Sequence, residues 1–244
     1  MKLENKIALV TGAGSGIGRA VAETFAQEGA HVVSVGRTRD KLDAAKQEAG
    51  EPGVRIHPRA LDVSDRTAAK ALVASTVAQF GAIDILVNNA GVNVPRRALS
   101  ELSTDDFDKV VQVNLNGAFY LIHEVLPIMR KRRDGVIINV SSIAGVRASK
   151  LAGAAYAASK FGMAGLSKTL GLEEGENGIR SCLIYPGEVN TPILDSRPAV
   201  PDADQRARML QPEDLAQAAL LVATLHPRAA IPELVISPTI QKFS

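Results

Sequence analysis

Seven short runs of apolar, mostly β-branched residues recur along this chain, each parted from the next by a segment of helical period. The runs are 6–12, 31–37, 54–63, 83–91, 135–142, 179–187 and 233–238. Most are apolar on both faces, as strands covered on both sides by helices must be. The segments between them read as helices over about 16–28, 38–49, 65–80, 104–131, 153–175 and 212–225. Asp65 and Thr104 stand where N-caps belong. Strand–helix alternation through the whole chain predicts an α/β fold: one doubly wound parallel sheet of about seven strands flanked by helices. No repeat, low-complexity tract or linker divides residues 1–244, so a single domain is expected. The least regular stretch is 191–212, rich in proline and charge, which reads as a loop with a short helix after a strand end.

Composition narrows the functional classes. A formal net charge of +2 is too small to argue for a nucleic-acid or anionic-membrane partner. The one cysteine, Cys182, lies in a predicted strand and reads as a core thiol. Without a second cysteine no intrachain disulfide can form, which fits a reducing compartment. The opening MKLENKIALVTG has too short an apolar run for a signal peptide. No stretch reaches the roughly 18 apolar residues of a membrane span, so a cytoplasmic protein is expected. His31, His57, His123 and His226 lack metal-ligand spacing, and no metal is expected. The basic run 129–135 reads as a solvated helix terminus.

The first strand runs into VTGAGSGIGRA, with Gly12, Gly16 and Gly18 in the pattern T-G-x-x-x-G-x-G. Such glycines let the backbone turn sharply, bring a phosphate close and seat the helix tightly on the sheet. The helix N-terminus beyond them offers free N–H groups to a pyrophosphate. No Gly-Lys-Ser/Thr follows, so this is no Walker loop. The turn marks the sheet as a Rossmann-type dinucleotide fold. Cofactor choice in such a fold is set at the end of the second strand, where a carboxylate would accept from a ribose 2′-OH. Here that slot is Gly36, followed by Arg37 and then Arg39. A guanidinium beside a missing carboxylate favours NADP(H). Asp40, able to rotate in, keeps NAD(H) possible.

Tyr156 and Lys160 are four apart, on one helix face, in a bed of glycine, alanine and serine. A free tyrosine titrates near ~10, and an adjacent ammonium favours its phenolate. Such a pair is expected to act in general acid–base catalysis. Taken alone, a tyrosine and a lysine at this spacing are more often surface neighbours.

Several motifs occur together and in order: TGAGSGIG (11–18), LDV (61–63), NNAG (88–91), VNLNGAF (113–119), NVSS (139–142), YAASK (156–160) and YPGEVNT (185–191). In these residues the chain resembles the short-chain dehydrogenase/reductase family through to about residue 192. The resemblance implies a catalytic tetrad of Asn114, Ser142, Tyr156 and Lys160, with Ser142 preferred to Ser141. It implies cofactor contacts from Gly12, Ser15, Gly16, Ile17, Gly18 and Arg37. Further contacts are implied from Asp62, Val63, Asn89, Ala90, Gly91, Tyr156, Lys160, Pro186, Gly187, Val189 and Thr191. In the family Lys160 would hold the nicotinamide ribose, and Asn114 would steady a water linking the lysine to solvent. Asp62 would contact adenine, and Thr191 the nicotinamide carboxamide.

The activity so implied is hydride transfer between NADP(H) and a small carbonyl or secondary alcohol substrate. An NAD(H)-dependent alcohol or hydroxy-acid dehydrogenase and a 3-oxoacyl carrier reductase remain alternatives, as does a catalytically silent dinucleotide sensor. The family's substrate-side segments correspond to 92–102, 144–153 and the loop 191–212. Arg96, Arg97, Arg147 and Lys150 in the first two read as solvated rim charges rather than as an anion site. A homotetramer or homodimer is expected.

Overall fold

A computed structural model of the chain describes residues 1–240. In order these form β1 (Ile7–Thr11), α1 (Gly16–Gln27), β2 (His31–Gly36), α2 (Arg39–Glu48), β3 (Ile56–Ala60), α3 (Arg66–Phe80) and β4 (Ile85–Asn88). Then follow α4 (Thr104–Val111), α5 (Gly117–Arg132), β5 (Gly135–Val140), α6 (Ala154–Glu174), β6 (Ile179–Pro186), α7 (Ala203–Ala207), α8 (Pro212–Thr224) and β7 (Glu233–Ile236). The seven strands form one sheet in the order β3-β2-β1-β4-β5-β6-β7, and every pairing is parallel. The chain therefore winds outward from β1 in one direction to β3 and from β4 in the other to β7. The reversal between β1 and β4 opens a crevice at the carboxyl edge.

Strand alternation divides the core. Ala8, Val10, Val87 and Ile138 face α1 and α8, meeting Val21, Phe25, Leu215 and Ala219. Leu9, Val33, Leu86 and Ile137 face the other side, against Leu72 of α3 and Leu121 and Val125 of α5. The central strands are buried on both faces, which is why they read as unbroken apolar runs.

Two local expectations need correction. The segment 104–131 is not one helix: a π-helical turn over Gln112–Asn116 separates α4 from α5. The apolar period runs smoothly through QVNLN, so nothing in the pattern marks the extra residue. Thr104 is not the N-cap. Ser103 is, its hydroxyl accepting from the Asp106 amide, and Thr104 opens the helix. Asp65 caps α3 as expected, accepting from the amides of Thr67 and Ala68. Stretch 191–212 contains a 3₁₀ turn, Pro192–Ser196, and the five-residue α7. No helix among the described residues is long and apolar enough to cross a membrane.

On the β2–β3 side, His31 Nδ1 and His57 Nε2 lie 3.3 Å apart, and both rings pack on Phe80. Burial, with the nearby charges of His31, Lys46 and Arg59, lowers the His57 pKa from 6.5 to about 4. The unfolded chain then binds this proton first. The stability contributed by neutral His57 is complete above 6.5 and is lost as pH falls toward about 4. The fall in urea midpoint between pH 7 and pH 4.5 should be smaller in His57→Gln than in the parent. An equal fall in both would remove His57 as its source.

Candidate active site

The carboxyl ends of β1 to β6 meet around the crevice. After β1, Gly12 and Gly16 take φ of +67° and +53°, where L side chains are strained. A Cβ on Gly12 would lie 2.7 Å from Asn89 Nδ2, and one on Gly16 would lie 3.0 Å from Thr191 Cγ2. Ser15, the N-cap of α1, makes no side-chain cap bond, and the first turn carries no acidic residue. The leading amides of α1 thus stay open to an anion. Gly18 has a different part: a Cβ there would strike Gly12 O and Asn89 Nδ2, so it lets α1 sit close on the sheet.

After β4, the backbone amides of Asn89 and Ala90 both donate to Thr11 Oγ1 at 3.0 Å. Asn89 Nδ2 donates to Thr11 O at 3.0 Å. The NNAG segment is thereby pinned to the end of β1. Asn88 turns the other way and donates to Asn139 inside the sheet.

These elements border a cavity of about 440 Å³. Of the sequence-predicted residues, Gly12, Ser15, Gly16, Ile17, Arg37, Asp62, Val63, Asn89, Ala90, Gly91, Tyr156, Lys160 and Thr191 line it. Gly14, Thr38, Lys41 and Asn93 line it as well, unforeseen. The signal for Lys41 was its place one helical turn beyond Arg37. Arg39 does not line this cavity; it pairs with Asp43 at 2.7 Å. Nor does Asp40 border it. Arg37 and Lys41 are exposed and carry no ion pair among the described residues. For Asp62, burial raises the pKa, but hydrogen bonds from the Ser64 hydroxyl and amide, with the charge of Arg37, bring it below the usual value.

A second cavity, of about 330 Å³, adjoins the first and shares Tyr156, Ser141, Asn93 and Thr191 with it. Ser142, Pro186, Gly187 and Val189 line this one and not the first. Ser142 Oγ accepts from the Ala144 amide at 3.1 Å. Ser141 is turned away, buried, with its hydroxyl donating to Lys160 O.

Lys160 is 3% exposed. Its ammonium donates to Val140 O at 2.9 Å and lies 5.5 Å from the centre of the Tyr156 ring. Burial lowers its pKa to about 8, so it remains mostly charged at neutral pH. Tyr156 behaves otherwise than expected. Desolvation raises its pKa, and the Ser142 hydrogen bond with the charges of Arg197 and Arg97 only partly opposes this. Dehydrating a phenolate costs more than these partners return.

Asn114 lies on the π-helical turn and is fully buried. Its Oδ1 accepts from Val92 N at 2.7 Å. Its Nδ2 donates to Val92 O at 3.0 Å and to Ser159 Oγ at 3.1 Å. Ser159 Oγ in turn donates to Tyr156 O. The extra residue of the π turn aims this amide inward, where it clasps the strand end after β4 to the helix bearing Tyr156.

The charges on the substrate-side segments divide. Arg96 and Lys150 are exposed, as expected of a rim. Arg97 is not: it is 7% exposed, because its guanidinium is bonded into the backbone of neighbouring loops.

A family model described as short chain dehydrogenase matches residues 6–201. A 3-oxoacyl-acyl-carrier-protein reductase of Thermotoga maritima is 41% identical over 231 residues, covering 92% of both chains. A metagenomic short-chain oxidoreductase, solved in complex with NADP, superposes with a TM-score of 0.85 at 33% identity, covering 98% of this chain and all of that one. The 3-ketoacyl-(acyl-carrier-protein) reductase from Brucella melitensis, solved with NADH, gives a TM-score of 0.87 at 30% identity, covering 97% and 98% of the two chains.

Asn114→Ala should strand the buried amide and carbonyl of Val92. The expected cost is about 2–3 kcal/mol, read from the urea midpoint. A change under about 0.5 kcal/mol would show that the clasp bears no weight.

Proposed function

The chain belongs to the short chain dehydrogenase family, and we propose that it transfers hydride between NADP(H) and a carbonyl or secondary alcohol, with Tyr156 as general acid and base. The observation that carries this reading is that the two cavities meet at Tyr156. One is floored by the glycine turn; the other is walled by Ser142.

The first cavity fits a dinucleotide. Bare backbone at Gly12 and Gly16 and the uncapped amides of α1 suit a pyrophosphate. Arg37 and Lys41, unpaired at the far end, suit a 2′-phosphate. The NADP in the metagenomic relative supports that preference, and the NADH in the Brucella reductase keeps NAD(H) as a second cofactor. Ser15, Ile17 and Gly18 would present the turn, Asp62 and Val63 would border the adenine, and Asn89 to Gly91 would border the ribose. Pro186 to Thr191 would close the nicotinamide end, where Thr191 Oγ1 has only a long 3.4 Å contact with Val189 O.

When bound, the nicotinamide supplies or accepts the hydride. The protein's own work is on the proton and the oxygen. A phenol kept protonated by burial is set to act as an acid: Tyr156 gives its proton to the carbonyl oxygen as negative charge grows there. In the alcohol direction it takes that proton back. Ser142 Oγ accepts from Ala144 N and hydrogen-bonds the Tyr156 phenol, which sets its hydroxyl beside Tyr156 to donate to the same substrate oxygen. Lys160 spends one N–H on Val140 O, leaving two for ribose hydroxyls. Asn114 fixes the loop at Gly91 and Val92 and keeps one acceptor site on Oδ1 for a water near Lys160. The expected homotetramer or homodimer finds support in Phe119, Phe161 and Leu172, exposed along α5 and α6.

Tyr156→Phe should lower kcat by about 10³-fold or more while NADPH affinity, read by nucleotide fluorescence, stays nearly unchanged. Wild-type rates in the variant would remove Tyr156 as the acid. Arg37→Ala should weaken NADPH by about tenfold or more and NADH far less. Equal losses would end the 2′-phosphate reading.

A further inference from the structure

The second cavity changes character beyond Tyr156. Among the described residues its lining includes the guanidiniums of Arg97 and Arg197 and the carboxylate of Glu188. Arg197 Nη1 donates to Glu188 at 2.9 Å, and the Arg197 side chain is only 16% exposed. Arg97 is the more telling group. Its Nε donates to Val94 O at 2.8 Å, Nη1 to Leu151 O at 3.1 Å and Nη2 to Ser196 O at 2.6 Å. Nη2 also reaches Ser196 Oγ at 3.4 Å. Every one of these partners is neutral. No carboxylate lies within ion-pair distance of Arg97 among the described residues.

A buried guanidinium without a counter-ion is costly. The backbone carbonyls fix its place but leave its charge uncompensated. Val94, Leu151 and Ser196 belong to the three segments that wall the cavity, so Arg97 holds all three around its charge. Arg197 adds a second charge close enough to repel it and to act on the Tyr156 phenol. Ile143, Leu151, Ile193 and Leu194 make the remaining wall apolar, and an apolar wall strengthens the local field. About 330 Å³ admits a small molecule.

We propose that the carbonyl substrate is a small oxo acid, whose carboxylate is held by Arg197 with the buried charge of Arg97 behind it. This rests on the reductase reading above and specifies its substrate. The ketone carbon of the oxo acid takes the hydride, its oxygen takes the Tyr156 proton, and the carboxylate passes through unchanged. The product is the corresponding hydroxy acid.

The test begins with binding rather than turnover. Protein loaded with NADP⁺ is titrated calorimetrically with malonate and with malonamide, its neutral counterpart. Malonate should bind about tenfold or more tightly. Arg197→Gln should erase most of that difference, whereas Arg197→Lys, which keeps the charge, should retain it. In turnover, acetoacetate should exceed methyl acetoacetate in kcat/KM, and Arg197→Gln should lower kcat/KM for acetoacetate about tenfold more than for methyl acetoacetate. Equal binding of malonate and malonamide overturns the proposal. So does a methyl ester reduced as well as the acid, or equal loss in Arg197→Gln and Arg197→Lys. Reduction of neutral ketones with no preference for acids would end the oxo-acid assignment and leave the reductase standing. Failure to bind either NADPH or NADH would end the reductase reading itself.

Discussion

Every segment that borders the two cavities leaves the same edge of the sheet, because all seven strands run parallel. A parallel strand must be re-entered from the opposite end, so each helix carries the chain back and each strand delivers its carboxyl end to one rim. The glycine turn, the NNAG segment, Ser142 and the Pro186–Thr191 segment are therefore neighbours, although up to 179 positions separate Gly12 from Thr191. The rim's geometry then depends on small pieces of hydrogen bonding. Thr11 Oγ1 receives two amides from the β4 end, and Asn114 ties Val92 to α6. Without these bonds the strand ends would be close but not aligned.

Burial dominates the electrostatics at the centre of that rim. Lys160 and Tyr156 were expected to tune one another as ammonium and phenol. Instead, dehydration moves each toward its neutral form: the lysine down to about 8 and the tyrosine upward. The cations that act on the phenol are Arg197 and Arg97, contributed by loops on the substrate side. The proton chemistry at Tyr156 is thus coupled to whatever occupies the second cavity. An anion seated there, as the proposed oxo acid would be, would weaken the arginines' pull on the phenol.

Much of this arrangement was legible in the sequence, for identifiable reasons. Doubly buried strands advertise themselves as apolar runs, and glycines under steric compulsion stand out in a turn. All seven strands fall within the runs named from sequence. The π turn escaped because QVNLN fits an α-helical period as well as a π one; only packing against Val63 at Gly117 and Val92 at Asn114 reveals the extra residue. Thr104 reads as a cap because Ser103 and Thr104 are both good capping residues, and register alone separates them. Lys41 went unnoticed because it lies on a polar helix face whose orientation is set by the sheet. Arg97 was misplaced for a deeper reason. Sequence hydropathy assigns arginine to solvent, and the two backbone carbonyls it takes from distant loops, Leu151 O and Ser196 O, cannot be read from a local pattern.

The net charge of +2 conceals where the charge sits. Over much of the surface, arginines are matched: Arg19 with Glu23 and Glu48, Arg39 with Asp43, Arg130 with Glu174 and Arg132 with Asp84. Along the crevice the matching is thinner, with Arg197 paired to Glu188. Among the described residues, Arg37 and Lys41 stand without ion pairs at one end, and Arg97 stands without one at the other. Cations without ion pairs among the described residues thus stand toward both ends of the crevice, with an uncapped helix N-terminus between them. Low overall charge gives no argument for a nucleic-acid surface. It does not rule out a cleft built for anions, and a fold that brings every strand end to one rim is able to make one.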